Sequence, residues 1–333
     1  MTKMTKLMLC SAALAFALCG PAFAQTKVRV AWIVPVTNLA SFMYTAKDLL
    51  RHHGKSYVAE PTRFQGSTPQ LTALGTGDLD IALLGFTSFP LAIQNARMED
   101  LRIIADEIRD GVPGYYSNEF MVRKDAGIRS IAELKGKVLA TNAAGSAVDV
   151  AMRAMLRKNG LDDKSFTVVE VAFPNMRAML LEKKAELVPA VPPFAYNPEL
   201  RAASHVLFTE GQALGANTLG IWVARAGFLQ KNRAVVLDLL EDYLRIVRFV
   251  TDPKNQKSAV QLASAATKIP APALDAWLFT HKDYFRPADG QVDVPGLQSN
   301  MDEMLKLGFL KERVDAQKYV DMTYVREAAA RLK

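Results

Sequence analysis

Cysteine is almost absent from this chain of 333 residues, and the two that occur, Cys10 and Cys19, both lie among the first 24 residues. Those 24 residues are expected to be removed, for the reasons given below. The remaining chain then has no thiol, which excludes disulfides, thiolate metal sites and a cysteine nucleophile. Stability must therefore come from core burial, for which roughly 300 residues are sufficient.

Histidine is also scarce, with His52, His53, His205 and His281 as the four in the chain. None falls in a loop that follows a predicted strand, where a catalytic side chain is expected. The sequence contains neither the Gly-x-Ser-x-Gly motif nor the His-Glu-x-x-His motif. We therefore expect a protein that is not an enzyme and that uses no metal and no cofactor.

Blocks of like charge are missing as well, although the chain has a formal net charge of +7. Scattered basic residues suit attraction of small anions, whereas nucleic-acid binding favours clustered arginine and lysine. We expect a small-molecule solute and no nucleic-acid partner.

The chain begins with the pattern of a secretory signal peptide. Lys3 and Lys6 precede an apolar run over residues 7–18, and the run is followed by the small-residue site 22–24. The run is shorter than the roughly 20 residues that a membrane-spanning helix needs. We predict cleavage after Ala24 and export to the periplasm as a soluble monomer. Leu18 precedes Cys19, where a lipoprotein signal would have a small side chain.

After residue 25, apolar runs of strand length alternate with helical periodicity, which predicts an α/β protein with mostly parallel sheets. A strand, a short polar loop and a helix follow one another three times, with loops at 35–38, 85–88 and 141–146. The spacing also predicts a helix over 39–50. Thr68 followed by Pro69 predicts a second helix, with Thr68 as its N-cap and Pro69 as its first residue. Ligands of open α/β sheets collect at such strand ends.

The third loop offers two interpretations. The free N–H groups of a helix start and the Ser146 hydroxyl could together bind an anionic oxygen. Alternatively, Ser146 serves only as the N-cap of its own helix.

In order along the chain, several segments resemble one family: periplasmic solute-binding proteins of ABC importers, in the branch that binds sulfonates, taurine, nitrate and thiamine precursors. The resemblance covers nearly the whole chain after the signal peptide. Its carriers are the runs 73–82, 120–138, 145–146, 160–161 and 319–321.

The resemblance implies the type II periplasmic binding fold, with two α/β lobes, two crossing segments and the solute between the lobes. We assign 1–24 to the signal peptide, 25–115 to lobe one, 116–240 to lobe two and 241–333 to helices that pack mainly on lobe one. The second crossing is placed near 217–223. An ABC permease and its ATPase at the inner membrane are the implied partners.

One segment departs from the family pattern. Where relatives have Gly-x-x-Asp-Ala, this chain has 184–190 followed by Pro192, Pro193 and Phe194. The two prolines stiffen the loop, and Phe194 could cover a flat or apolar solute or pack beneath its own loop.

The predicted solute-binding residues lie in the loops that follow the strands and at the return crossing. They are Val36, Thr37, Asn38, Phe86, Thr87, Ser88, Gly145, Ser146, Asn175, Phe194 and Asn217. Hydroxyls, amides and backbone donors suit a small organic anion, either a sulfonate or a carboxylate, aromatic ones included. Arg177 is a further candidate for pairing with such an anion.

The sequence thus predicts an exported binding protein that delivers its solute to a permease. Two alternatives stay open: a binding partner of a sensor or chemoreceptor, and an enzyme on the same fold such as a thiamine-pyrimidine synthase.

Overall fold

The computed structural model describes residues 25–332, and the predicted signal peptide lies outside them. Two five-stranded sheets are present in this part of the chain, in the orders β2-β1-β3-β10-β4 and β7-β6-β8-β5-β9. The strands are β1 (Thr26–Trp32), β2 (Tyr57–Arg63), β3 (Ile81–Gly85), β4 (Leu101–Asp110), β5 (Glu119–Arg123), β6 (Val138–Thr141), β7 (Thr167–Glu170), β8 (Leu187–Ala190), β9 (Ser204–Thr209) and β10 (Asn217–Arg225). In each sheet one strand, β10 or β5, runs against the other four. The expected pair of mostly parallel sheets is confirmed.

Helices flank both sheets. They are α1 (Ser67–Thr76), α2 (Ser88–Ala96), α3 (Ala147–Lys158), α4 (Met176–Leu181), α5 (Pro198–Ala203), α6 (Glu210–Leu214), α7 (Ala226–Lys231), α8 (Arg233–Thr251), α9 (Gln256–Thr267), α10 (Val294–Lys306), α11 (Ala316–Tyr319) and α12 (Thr323–Ala330). Each sheet with its helices forms one lobe of a two-lobed α/β protein.

The first sheet has its most buried strands at its centre. Every residue of β3 is buried, and β10 is buried along its length except at Arg225. Such continuous apolar runs are typical of strands that are covered on both faces. Because β10 pairs with β3 and β4, the stretch 217–240, assigned above to lobe two, lies with lobe one. The second crossing accordingly precedes β10.

The two crossing segments lie side by side between the lobes. Gly111 follows β4 with φ +69°, and a Cβ there would lie 2.8 Å from the carbonyl oxygen of Gly215 in the second segment. Both the left-handed backbone and the close approach require glycine. The hinge therefore consists of two tightly packed segments of the chain.

The C-terminal part of the chain packs largely on lobe one. The Asp321 N–H donates to the Ile103 carbonyl at 2.9 Å, and the Asp106 N–H donates to the Gly290 carbonyl at 2.9 Å. On lobe two, α10 is joined to α3 by the Lys158–Glu303 ion pair at 2.9 Å.

Two local expectations differ from the structure. The stretch 39–50 contains two 3₁₀ turns, Leu39–Ser41 and Met43–Thr45, separated by Phe42 at φ −146°, which breaks a continuous helix. Helix α1 begins at Ser67, two residues before the expected Pro69, and its N-cap is the extended Gly66 and not Thr68.

Candidate functional site

A cavity of about 70 Å³ lies between the lobes where the strand ends of both sheets meet. Most of its lining surface is apolar and comes from the loop after β1 and from β3, β4 and β10 on one side, and from α3 and the loop after β8 on the other. Its polar lining residues are Thr37, Asn38, Ser67, Asn118, Asn142, Ser146 and Tyr284. Of the described residues that line it, none is Lys, Arg, His, Asp or Glu.

Direct hydrogen bonds join the lobes on one flank of the cavity. Gln65 Nε2 donates to the Asn142 carbonyl at 3.0 Å, and Asn142 Nδ2 donates to the Gln65 carbonyl at 3.1 Å. The Thr68 hydroxyl donates to the Ala144 carbonyl at 2.8 Å. The lobes are therefore in a closed arrangement.

A second set of contacts closes the rim elsewhere. The Thr37 hydroxyl donates to the Pro192 carbonyl at 2.8 Å. The hydroxyls of Thr87 and Ser88 donate to the Gly145 carbonyl at 3.1 and 2.8 Å. Each bond pairs a side chain of lobe one with backbone of lobe two.

Two glycines of lobe one allow this close approach. A Cβ at Gly66 would lie 2.8 Å from both Ala143 Cβ and Asn142 Nδ2, and a Cβ at Gly85 would lie 3.1 Å from Ala147 Cβ. Real Cβ atoms essentially never come within 3.0 Å of a heavy atom, so lobe closure depends on the missing side chain at Gly66.

The start of α3 faces the cavity through Ser146, Ala147 and Val148. Ser146 is the N-cap residue, but its side chain makes no capping bond and donates instead to Asn142 Oδ1 at 2.6 Å. The first backbone N–H groups of α3 are therefore not satisfied by the cap side chain. Of the two interpretations of Ser146, the simple side-chain cap is not what the structure contains.

Three of the sequence-predicted residues line the cavity: Thr37, Asn38 and Ser146. Asn38 also has a structural role, because its Oδ1 accepts the N–H groups of Ile33 at 2.9 Å and Val34 at 2.7 Å. Both the β1 end and the following turn are thereby fixed.

Five other predicted residues lie near the cleft or beneath it without lining the cavity. Thr87, Ser88 and Gly145 make the contact between lobes described above. Val36, at φ +59°, and Phe86 are buried in the core of lobe one.

The remaining predicted residues lie farther away. Asn175 is exposed, and Phe194 is half-buried beside a separate cavity of about 330 Å³. Asn217 is buried at the hinge, where its Nδ2 donates to the Gly215 carbonyl at 3.2 Å. Arg177 pairs with Glu199 at the protein surface.

Sequence reasoning missed several lining residues: Ser67, Asn118, Asn142, Phe173 and Tyr284. Asn142 and Phe173 lie in the loops after β6 and β7, which also contain the predicted residues Ser146 and Asn175. Their position directly after a strand is the signal that could have identified them. Asn118 and Tyr284 are 166 positions apart yet joined by a hydrogen bond from the Tyr284 hydroxyl to Asn118 Oδ1. No local signal in the sequence indicates that pair.

The hinge behind Asn118 contains two buried acids, Asp110 and Glu210. The Asn118 N–H donates to Asp110 Oδ2 at 2.7 Å, and Asn118 Nδ2 donates to Glu210 Oε2 at 2.9 Å. Burial raises the pKa of Asp110 to about 6. Burial, and then the nearby Asp110, raise the pKa of Glu210 well above its usual value.

A third buried acid, Glu107, supports the wall of the cavity. Its Oε1 accepts the Leu39 N–H at 2.9 Å, and its Oε2 accepts the Trp222 indole N–H at 2.5 Å. Burial raises the pKa of Glu107, and the positive charge of Arg286 opposes that rise. Arg286 also donates to the Thr37 carbonyl at 2.7 Å, which anchors the first cleft loop.

Across residues 25–332, no helix combines the length and the hydropathy that crossing a bilayer requires. The same residues contain no group of three or more His, Cys, Asp or Glu side chains placed to hold a metal ion.

Solved structures with the same fold are numerous. The alkanesulfonate-binding protein SsuA from Xanthomonas axonopodis pv. citri, bound to MOPS, superposes with a TM-score of 0.68 at 17% identity, over 90% of this chain and 99% of that one. The periplasmic nitrate-binding protein NrtA from Synechocystis PCC 6803 gives a TM-score of 0.73 at 16% identity, over 93% of this chain and 89% of that one.

An enzyme has the same fold. The desulfurization enzyme DSZB matches with a TM-score of 0.65 at 16% identity, over 93% of this chain and 100% of that one. At these identities the likenesses establish the architecture. The model of the NMT1-like family matches residues 22–264, most of the chain. The chain therefore belongs to the NMT1-like family, and it has the two-lobed periplasmic binding protein fold.

Proposed function

We propose that this protein is an exported solute-binding protein that captures a small organic anion between its lobes and delivers it to an ABC permease. The observation that carries the proposal is the closed cavity lined by strand-end residues of both lobes. A site divided between two lobes is complete only when they close, so occupancy and closure are thermodynamically linked. The family membership and the sulfonate-binding and nitrate-binding neighbours support the same function.

The cavity offers neutral donors to an anion. The exposed N–H groups at the start of α3 and the positive end of its dipole favour a negatively charged oxygen. The Ser67 hydroxyl accepts the Gly85 N–H at 2.9 Å, which leaves its own proton for a solute oxygen. One negative charge is thereby accommodated without a cationic side chain in the lining.

Closure is the signal that a permease would read. The bonds from Thr37, Thr68 and Ser88 to lobe two exist only when the lobes are together. A closed protein therefore presents a surface that the open protein lacks. A sensor or chemoreceptor could recognise the same surface in place of a permease, and the experiment below distinguishes the two.

We also propose that the protein is not an enzyme, in contrast to DSZB. An enzyme site needs a positioned acid, base or nucleophile. Three buried acids near the cavity, Glu107, Asp110 and Glu210, are bonded to Trp222, Ser117 and Asn118. In the lining itself, the Tyr284 hydroxyl donates to Asn118 Oδ1. These hydrogen bonds are structural ones.

The test is a thermal-shift screen of the protein that begins at Gln25, against sulfonates, aliphatic and aromatic carboxylates, nitrate, amino acids and pyrimidines. A solute at 100 times its dissociation constant adds about 2.7 kcal/mol of apparent stability. A rise in melting temperature with one anion class supports the proposal. Stimulation of the ATPase of a reconstituted permease by the loaded protein supports import, and its absence favours a sensor. A flat response to every class, or turnover of a bound solute, contradicts the proposal.

A further inference from the structure

The closed cavity is small. Its volume of about 70 Å³ is half that of the apolar cavity of roughly 150 Å³ that accommodates benzene in an engineered protein. Contacts on both flanks, from Gln65 to Asn142 and from Thr37 to Pro192, hold the lobes together around it. An aromatic ring would keep these contacts from forming.

The wall of the cavity is aliphatic on nearly every side. Side chains of both lobes contribute to it, among them Ile33, Leu83, Ile108, Val148, Val191 and Leu219. Such a wall favours a hydrocarbon tail and disfavours a second charged or strongly polar group, because a buried polar group without a partner costs free energy.

Most polar groups in the lining are already engaged with the protein. Asn38 holds two backbone N–H groups, and Asn118 is bonded to Tyr284 and Glu210. Ser146 and Asn142 are bonded to each other. These groups have little hydrogen-bonding capacity left for a polar solute.

The remaining donors lie close together, around Gly85. The Ser67 hydroxyl, whose proton has no acceptor among the described residues, is bonded to the Gly85 N–H, and Ser67 is 1% exposed. A Cβ built on Gly85 would be 3.2 Å from the Ala147 N atom, so the start of α3 is at the same place. The cavity therefore has one group of free donors, and most of its remaining lining surface is apolar.

Building on the proposed binding function, we propose that the solute is a short aliphatic monocarboxylate, with its carboxylate between Ser67 and the start of α3. The volume corresponds to about three to five non-hydrogen atoms, as in acetate and propionate. Aromatic carboxylates and dianions are excluded by volume and by charge. Sulfonates are disfavoured because their third oxygen would need donors that are engaged elsewhere.

Isothermal titration of the protein that begins at Gln25 tests the solute class with propionate, propionamide, benzoate and 1-propanesulfonate. We expect propionate to bind at least tenfold more tightly than the other three. Tighter binding of benzoate or 1-propanesulfonate overturns the proposal, and so does the absence of propionate binding at millimolar concentration.

A cavity-enlarging variant supplies a gain that loss of folding cannot imitate. Leu219→Ala is expected to raise the benzoate affinity at least tenfold relative to propionate, and Val148→Ala is the second choice if Leu219→Ala does not fold. Leu229→Ala, which truncates a buried leucine of α7 away from the cavity, is the matched control. Unchanged selectivity in a folded enlarged variant contradicts the volume limit on which the solute class depends.

The failure of the solute class can be told apart from the failure of the proposed function. Gly66→Ala obstructs lobe closure, and Gly66 is not itself among the residues that line the cavity. If benzoate binds and Gly66→Ala weakens that binding, the short aliphatic monocarboxylate is the wrong solute class, but capture between the lobes is supported. If propionate binds and Gly66→Ala leaves its affinity unchanged, capture between the lobes is contradicted.

Discussion

Replacement of Gly66 by alanine should act on lobe closure and on little else. Gly66 has φ −171°, an extended conformation that alanine adopts without strain. The atoms nearest to its new Cβ belong to lobe two: Ala143 Cβ and Asn142 Nδ2, both at 2.8 Å. Lobe one can therefore fold normally, whereas the closed state must shift.

The expected magnitude follows from the overlap. Relieving two contacts at 2.8 Å requires displacement of backbone in the 142–143 loop, and overpacking of this kind costs about 1–3 kcal/mol. Because the cost falls on the closed, solute-bound state, it appears as an affinity loss of about 5- to 150-fold. Displacement of Asn142 would also weaken its two hydrogen bonds to Gln65.

The assay is isothermal titration with the solute that the screen identifies, together with urea unfolding of the free protein. Gly75→Ala is the matched control, since Gly75 lies on α1 and a Cβ there meets nothing within 4 Å. An affinity in Gly66→Ala equal to that in Gly75→Ala would refute the reasoning, because it would mean that binding does not require the observed lobe contact.

Three further predictions concern the hinge, the cleft loop and the rim. Burial raises the pKa of Asp110 to about 6 and that of Glu210 well above its usual value, so their contribution to stability is complete below pH 3.8 and declines as the pH rises through about 6. The free energy of unfolding in urea should therefore fall less between about pH 5 and about pH 8 in Glu210→Gln than in the parent protein. An equal fall in both proteins would contradict this. Arg286→Met leaves buried Glu107 and Asp283 without their cation and should lower the free energy of unfolding by about 3–5 kcal/mol. The control Arg177→Met breaks an exposed ion pair and should lower it by less than about 1 kcal/mol. Thr37→Val leaves the Pro192 carbonyl without its donor and should weaken solute binding by about 5- to 150-fold in titration, with an unchanged affinity counting against the closed rim.

The architecture could be predicted from the sequence because its signals are local. The run at β3 is apolar throughout, as a strand covered on both faces must be, and polar loops follow it and β6. Thr37, Asn38 and Ser146 could be placed at the cavity on this basis, since strand ends converge at one edge of a sheet. Their contact with a solute remains a prediction.

What the sequence could not predict depends on contacts between distant segments. Phe194 had two interpretations from the sequence, as a cover for the solute or as a residue packed beneath its own loop, and its side chain lies beside Phe173 and Tyr196 around a separate cavity. Its direction is set by packing of the 191–198 loop, which has no periodicity to read. Asn118 and Tyr284 enter the cavity lining from the hinge and from the C-terminal segment, which only the tertiary structure brings together.

The prediction of a helix over 39–50 was wrong for a related reason. The apolar spacing that predicted it is real, because Leu39, Phe42, Met43 and Leu50 are buried. Their burial is achieved with two 3₁₀ turns. Glu107 accepts the Leu39 N–H at the start of the segment, and Asn38 accepts the Val34 N–H just before it. Tertiary hydrogen bonds thus override the local helical preference.

Capture of a solute by lobe closure is tested most directly by the distance between the lobes. The chain beginning at Gln25 has no cysteine, so spin labels at Asp48→Cys in lobe one and Lys164→Cys in lobe two, both exposed, report that distance by pulsed electron paramagnetic resonance. We predict that the saturating solute converts a broad or longer distance distribution into a single shorter one, and that Gly66→Ala resists this change. A solute that binds while the distance distribution stays the same would contradict the account.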